Sequence, residues 1–220
     1  MQSSRSAPVP PRRTNRLPRG ARRLQLLRAA QEVFVAQGFH AAAMDDIADR
    51  AGVSKPVLYQ HFPGKRELYL ALLEQQVDEL ADRVAQAMAG TDDNRARVVG
   101  AVGAYFDFID AEGEAFRLVF ESDLRNDDDV RATVDRGTRA CVEAIAEVIA
   151  ADTGADTERA LMIASGMTGL AETSARWWLA SKGSVTRDEA VSLMATLAWR
   201  GISGFPRVDG GEHHTERPAD

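Results

Sequence analysis

The sequence predicts an all-α protein of about nine helices, with a small N-terminal three-helix domain followed by a larger helical domain. Three observations carry this. Apolar residues recur every three or four positions along most of the chain, and no segment alternates with the period of two that a half-buried strand needs. Charge also divides sharply: residues 1–65 hold 11 Lys and Arg against 4 Asp and Glu, whereas residues 66–220 hold 16 against 29. Although the net charge is −6, the first third is basic, and only there would a polyanion be attracted.

Residues 1–18 are rich in Ser, Pro and Arg, a composition that buries too little apolar surface to offset the entropy of ordering, and are expected to form a flexible basic arm. Before the first acid, Glu32, come Arg5, Arg12, Arg13, Arg16, Arg19, Arg22, Arg23 and Arg28, a density suited to phosphate contacts or simply to a solvated leader. A first helix spans 19–37, with Leu24, Leu27, Ala30, Val33 and Phe34 on one face and Gly38 as its stop. Met44, Ile47, Ala48 and Ala51 mark a short second helix ending at Gly52; Ser54 stands where it can cap a third that runs to Gln60, with Pro56 tolerated in the first turn. A long helix follows over 65–89, carrying Leu68, Leu72, Leu73, Val77, Leu80 and Val84. Further helices are expected over 94–109, 127–151, 156–181 and 186–204, with a shorter one around 114–120; Thr186 and Glu189 form a possible capping box. The domains are thus an arm (1–18), a small three-helix domain (19–66), a C-terminal domain (67–205) and a polar tail (206–220) expected to be disordered.

The run from Met44 to Pro63 has the spacing of a helix-turn-helix. Ala48 is small where two helices cross most closely, Gly52 suits a left-handed turn, and Ile47, Val53 and Leu58 supply the core that fixes the crossing angle. A helical hairpin inside an ordinary core shares some of these features, but not all of them at once.

From Arg19 to about Leu73 the sequence resembles the TetR/AcrR family of bacterial regulators, through Ile47-Ala48, Ala51-Gly52-Val53-Ser54, Leu58-Tyr59, His61-Phe62 and Lys65 with Glu67-Leu68. The resemblance implies that Tyr59 and His61 contact the DNA backbone or adjoining bases and that Lys65 contacts a phosphate from the start of the fourth helix. Arg19, Ser54, Lys55 and Val57 join them as candidate DNA contacts. Donors of these types suit phosphate oxygens, and a helix N-terminus adds its own N–H groups and dipole. Phe62, wholly apolar, is expected in the core. The family usually places Thr at one or both of the positions held here by Ala42 and Ala43, so the hydroxyl cap and its phosphate contact are not expected. The arm's Asn15–Arg19, Tyr105–Ile109 and Phe116–Glu121 further resemble actinobacterial members that regulate fatty-acid synthesis and respond to long-chain acyl-CoA.

That resemblance implies a homodimer reading a double-stranded operator, with a small apolar effector, long-chain acyl-CoA or similar, and no cofactor. Tyr105, Phe106, Phe116, Phe120, Trp177 and Trp178 are the candidate effector residues, each of which would serve equally as helical core. Arg117, Arg125, Arg139 and Arg176 could face an anionic head group or plain solvent. Residues such as Met167, Leu170, Leu193, Met194 and Trp199 on the last two helices suit either a dimer interface or an intrachain core.

An enzyme is poorly supported. The four histidines fall in the DNA-reading segment or the tail, and the sequence contains no phosphate-binding glycine loop, zinc spacing or recognisable acid pair. The single cysteine, Cys141, and the absence of a signal-type or membrane-spanning stretch point to the cytoplasm, with no membrane partner.

Overall fold

The computed structural model describes residues 17–120, 127–181 and 184–201, without the side chains of 111–120. The expected flexible arm and tail lie outside the described residues, apart from Leu17 and Pro18. The described residues form eight helices and no strand: α1 (Arg19–Ala41), α2 (Met44–Ala51), α3 (Lys55–His61), α4 (Lys65–Ala89), α5 (Asn94–Phe120), α6 (Asp128–Thr153), α7 (Thr157–Ala180) and α8 (Arg187–Arg200). The count falls one short of nine because 94–109 and 114–120 belong to one helix. Gly113, inside the polar interval between them, costs a helix only about 1 kcal/mol, too little to end one.

The chain divides into two compact units between Leu68 and Tyr69. In the first, α1 packs on α2, and α2 on α3. Leu26, Ala30, Phe34, Ile47, Ala48 and Leu58 are fully buried, and Phe62 nearly so. Leu24, expected on the apolar face of α1, is instead 49% exposed. At about 100° per residue, the stripe Leu26, Leu27, Ala30, Val33 and Phe34 centres about 120° away from it. At Gly38 the backbone turns to φ 78°, interrupting α1 where the sequence placed its end, and a last turn follows to Ala41.

In the second unit α5 is the central helix, packed against α7 and α8, while α6 lies along α7. Val98, Val102, Tyr105, Phe106 and Ile109 are all buried. α6 approaches α4 closely at Gly137: a Cβ built there would lie 2.6 Å from the Val77 Cβ, so only glycine fits without a shift. Side-chain caps start the last three helices. Asp127 accepts from the Asp129 and Val130 N–H groups, Asp156 from Arg159 N–H, and Thr186 from Glu189 N–H, each worth about 1 kcal/mol. Arg97 pins the α4–α5 corner, donating to the carbonyls of Met88 (3.0 Å) and Thr91 (2.7 Å), to Asn94 Oδ1 (2.8 Å) and to Asp152 Oδ2 of α6 (2.8 Å). No described helix is long and apolar enough to cross a membrane.

Candidate nucleic-acid interface and effector cavity

The turn between α2 and α3 is built as its residue types require. Gly52 sits at φ 65°, ψ 37°, with its N–H directed to the carbonyls of Ala48 and Asp49. Ala48 is fully buried at the crossing, and Val53 N–H donates to Ala48 O at 3.0 Å. Ile47 and Leu58 complete this small core, whereas Val53 is only half-buried. Ala43 stands at the N-cap of α2 with no side-chain bond. Ser54 occupies the N-cap of α3, but its hydroxyl makes no capping bond; its backbone carbonyl accepts from Val57 and Leu58 N–H instead.

Ser54 at the N-cap and Lys55 and Tyr59 on α3 are exposed, Tyr59 to 49%. Lys55 Nζ lies 2.5 Å from Asp45 Oδ2, and that hydrogen bond holds the ammonium's pKa above its ordinary value. An incoming phosphate therefore competes with a carboxylate for this lysine. Arg19, Val57 and His61 line one surface pocket of about 410 Å³ with Leu17, Arg22 and Gln60. Burial, and then the cations Arg19, Arg23 and Arg22, push the His61 pKa below its ordinary value, favouring the neutral imidazole. Arg23 is itself placed over the Phe62 ring, 4.5 Å from its centroid.

Lys65 is held elsewhere. Its ammonium donates to three carbonyls at the end of α1, those of Phe39 (2.7 Å), His40 (3.1 Å) and Ala42 (2.9 Å), and sits 4.7 Å from the Phe39 ring centroid. All three of its protons are engaged, so a phosphate at this point must displace a carbonyl. The sequence contained one partial signal of this clamp: Gly38 leaves the last carbonyls of α1 without helical partners.

Phe106, Trp177 and Trp178 line an apolar cavity of about 370 Å³, together with Thr173, Ser174, Val185, Ala190, Leu193 and Met194. The Phe106 and Trp178 rings are tilted, with centroids 5.6 Å apart, and Trp178 Nε1–H donates to Val185 O at 2.8 Å. Trp177 is 64% exposed at the rim. Tyr105, one helical position from Phe106, does not line this cavity. It faces the other way, buried beside Cys141 and Thr168, where burial first and then Cys141 push the phenol pKa well up; burial likewise raises that of the Cys141 thiol. The side chains of Phe116, Phe120, Arg117 and Arg125 lie outside the described residues. Arg176 pairs with Glu172 on its own helix, and Arg139 is exposed.

A glycine-turned helix pair with an exposed second helix, followed by an all-α unit, is the arrangement of a helix-turn-helix transcription regulator. The chain belongs to the TetR family: residues 26–72 match the bacterial regulatory proteins of the tetR family, and residues 94–201 match the tetracyclin repressor-like C-terminal domain. It is 51% identical over 195 residues, 89% of each chain, to the HTH-type transcriptional activator FasR of Mycolicibacterium smegmatis. It is 31% identical over 110 residues, half of this chain and 54% of the relative, to the HTH-type transcriptional repressor KstR2 of Rhodococcus jostii. Among solved structures it resembles a TetR-like transcriptional regulator from Rhodococcus sp. RHA1 (TM-score 0.64, 28% identity, covering 86% of this chain and all of that one). FadR of Bacillus subtilis in complex with stearoyl-CoA shares the fold (TM-score 0.68, 16% identity, covering 81% of this chain and 98% of that one).

Proposed function

We propose that this regulator binds a double-stranded operator as a cytoplasmic homodimer, and that an apolar effector of the long-chain acyl type, carried as its CoA thioester, adjusts that binding and so the expression of lipid-metabolism genes. The observation that carries the effector reading is the aromatic cavity of Phe106, Trp177 and Trp178, whose wall is apolar except for Thr173 and Ser174. The FadR of the same fold, in complex with stearoyl-CoA, supports the ligand class. DNA reading falls to the 19–66 domain through Ser54, Lys55 and Tyr59 on the exposed face of α3 and the Arg19, Val57 and His61 pocket beside it. Effector binding and dimerisation fall to residues 67–205.

The dimer reading rests on α7. Met162, Gly166, Gly169, Thr173 and Trp177 lie on one face of that helix and are all exposed, Met162 to 79%. Small residues flanked by large apolar ones suit close helix packing against a second copy, and twofold symmetry matches two operator half-sites. The reading is tested by titrating free and operator-bound protein with acyl-CoAs of graded chain length. Linkage requires a ligand that changes operator affinity to show unequal affinities for the two forms. Equal affinities, or no binding at any length, would overturn acyl sensing and leave DNA binding standing.

A further inference from the structure

Carboxylates crowd the helix-turn-helix where a DNA-binding surface would be expected to exclude them. Residues 1–65 contain four, and three of these, Asp45, Asp46 and Asp49, lie on α2, all exposed. Across the Gly52 turn, Asp45 Oδ2 accepts from Lys55 Nζ at 2.5 Å. Asp49, one helical turn beyond Asp45, adds its field at the same ammonium. Both members of the pair are more than half exposed, so the contact contributes little to the stability of the fold. Its effect falls on what Lys55 can bind.

Charge and proton count separate the possible targets. Around Lys55 two carboxylates stand against one ammonium, so the local charge is net negative and disfavours a phosphate, whereas a base edge carries no net charge. An ammonium has three donors. Asp45 takes one, and among the described residues no other acceptor holds Lys55, which leaves two. Guanine presents two adjacent acceptors, N7 and O6, in the major groove. Adenine sets a donor beside its N7, thymine a methyl beside its O4, and cytosine a donor. The residues at the start of a recognition helix are the ones that reach base edges, and Lys55 is the first residue of α3. Lys65 is the contrast, since all three of its protons go to backbone carbonyls.

We infer that Asp45 is a positioning residue for base reading: its carboxylate holds the Lys55 ammonium away from phosphate and aims the two remaining N–H groups at N7 and O6 of one guanine for each recognition helix. The inference rests on operator reading through α3 and is independent of the effector. It gives Lys55 a base, and it gives the carboxylates of α2 a part in specificity, because a phosphate bound at random would have to break the Asp45 contact to reach the lysine.

The test begins with selection by the full chain from a pool of DNA duplexes with a randomised core. Affinities of wild type, Lys55→Ala, Asp45→Ala and the double variant are then measured for the best duplex, its single-base variants and a scrambled duplex, with thermal melts showing that each protein is folded. Lys55→Ala should lose a preference for guanine at a single position in each half-site, by about tenfold. Replacing that base with 7-deazaguanine, which lacks the N7 acceptor, should weaken wild type but not Lys55→Ala. Asp45→Ala should reduce the same preference by about threefold, and in the Lys55→Ala background should leave it unmoved. On the scrambled duplex Asp45→Ala should bind more tightly, with a steeper slope of log affinity against log salt, because the lysine is released to phosphate. The inference would fail, with operator reading still standing, if Lys55→Ala weakened every duplex evenly or if its position favoured a base other than guanine. It would fail equally if Asp45→Ala left the preference unchanged, or altered it to the same extent with and without Lys55. Enrichment of no sequence by wild type would overturn operator reading itself, and the inference with it.

Discussion

His61 should couple operator binding to pH. In the free protein its pKa lies below 6.5, pushed down by burial and by Arg19, Arg23 and Arg22. A DNA phosphate brought against the same arginines adds negative charge that favours the imidazolium, so the bound value is higher and binding takes up a proton. Operator affinity should therefore rise as pH falls from about 8 to about 6, by about tenfold for each unit by which the pKa rises on binding. The same shift has the opposite sign for folding. A base whose folded pKa is depressed stabilises the fold above its unfolded value, and that contribution is lost as pH falls below about 6.5. Affinity measured across this range for wild type and His61→Gln checks the coupling, which fails if both give the same profile. Lys65 makes a second prediction. Lys65→Met keeps the stem but removes three hydrogen bonds to carbonyls, and should cost about 2 kcal/mol of stability, read by urea denaturation. Operator affinity should fall evenly across sequence variants, since the lysine sets where α1 ends and α4 begins and reads no base.

At the scale of elements, the contact of α4 with α6 is the sharpest constraint. Gly137→Ala puts a methyl into Val77 and should destabilise the second unit by about 1–3 kcal/mol. Val77→Gly removes the obstructing Cβ together with its methyls, so the double variant should be more stable than the sum of the two single effects implies, and additive values in denaturant melts would show that the contact relaxes freely. Gly137 also shows where sequence reading stops, because nothing in the periodicity of α6 says which helix will press on it. The elements themselves were largely legible, since caps and apolar stripes are local: Thr186 and Gly52 stand where spacing placed them, and Ala43 leaves α2 without a side-chain cap as the family resemblance implied. The misreadings were also local. Leu24 has helical spacing but lies off the axis of the stripe, and the interval between 94–109 and 114–120 is helical as well. The site was only partly legible. Phe106, Trp177 and Trp178 share a cavity, yet Tyr105 beside them turns to Cys141, because successive residues on a helix diverge by about 100°. The acceptors of Lys65 lie 23 to 26 residues away in sequence, beyond the reach of any local pattern.

For the whole molecule, charge is the property that spans both ends. The excess of cations in residues 1–65 includes four arginines, Arg5, Arg12, Arg13 and Arg16, ahead of the first described residue. Deleting residues 1–16 should lower operator affinity and flatten the slope of log affinity against log salt, by about 0.9 for each phosphate that the arm had neutralised, while leaving base preference unchanged. An unchanged slope would show that the arm touches no phosphate.

The tryptophans give the molecule a built-in optical reporter. All three lie in the second unit and in unlike surroundings: Trp178 is hydrogen-bonded to Val185 O and screened by Phe106, Trp177 is 64% exposed, and Trp199 is 46% exposed. The first unit holds none, so operator contact at the helix-turn-helix would add no tryptophan signal of its own. Any change in tryptophan emission on adding operator would then be a message received in the second unit, readable without a label.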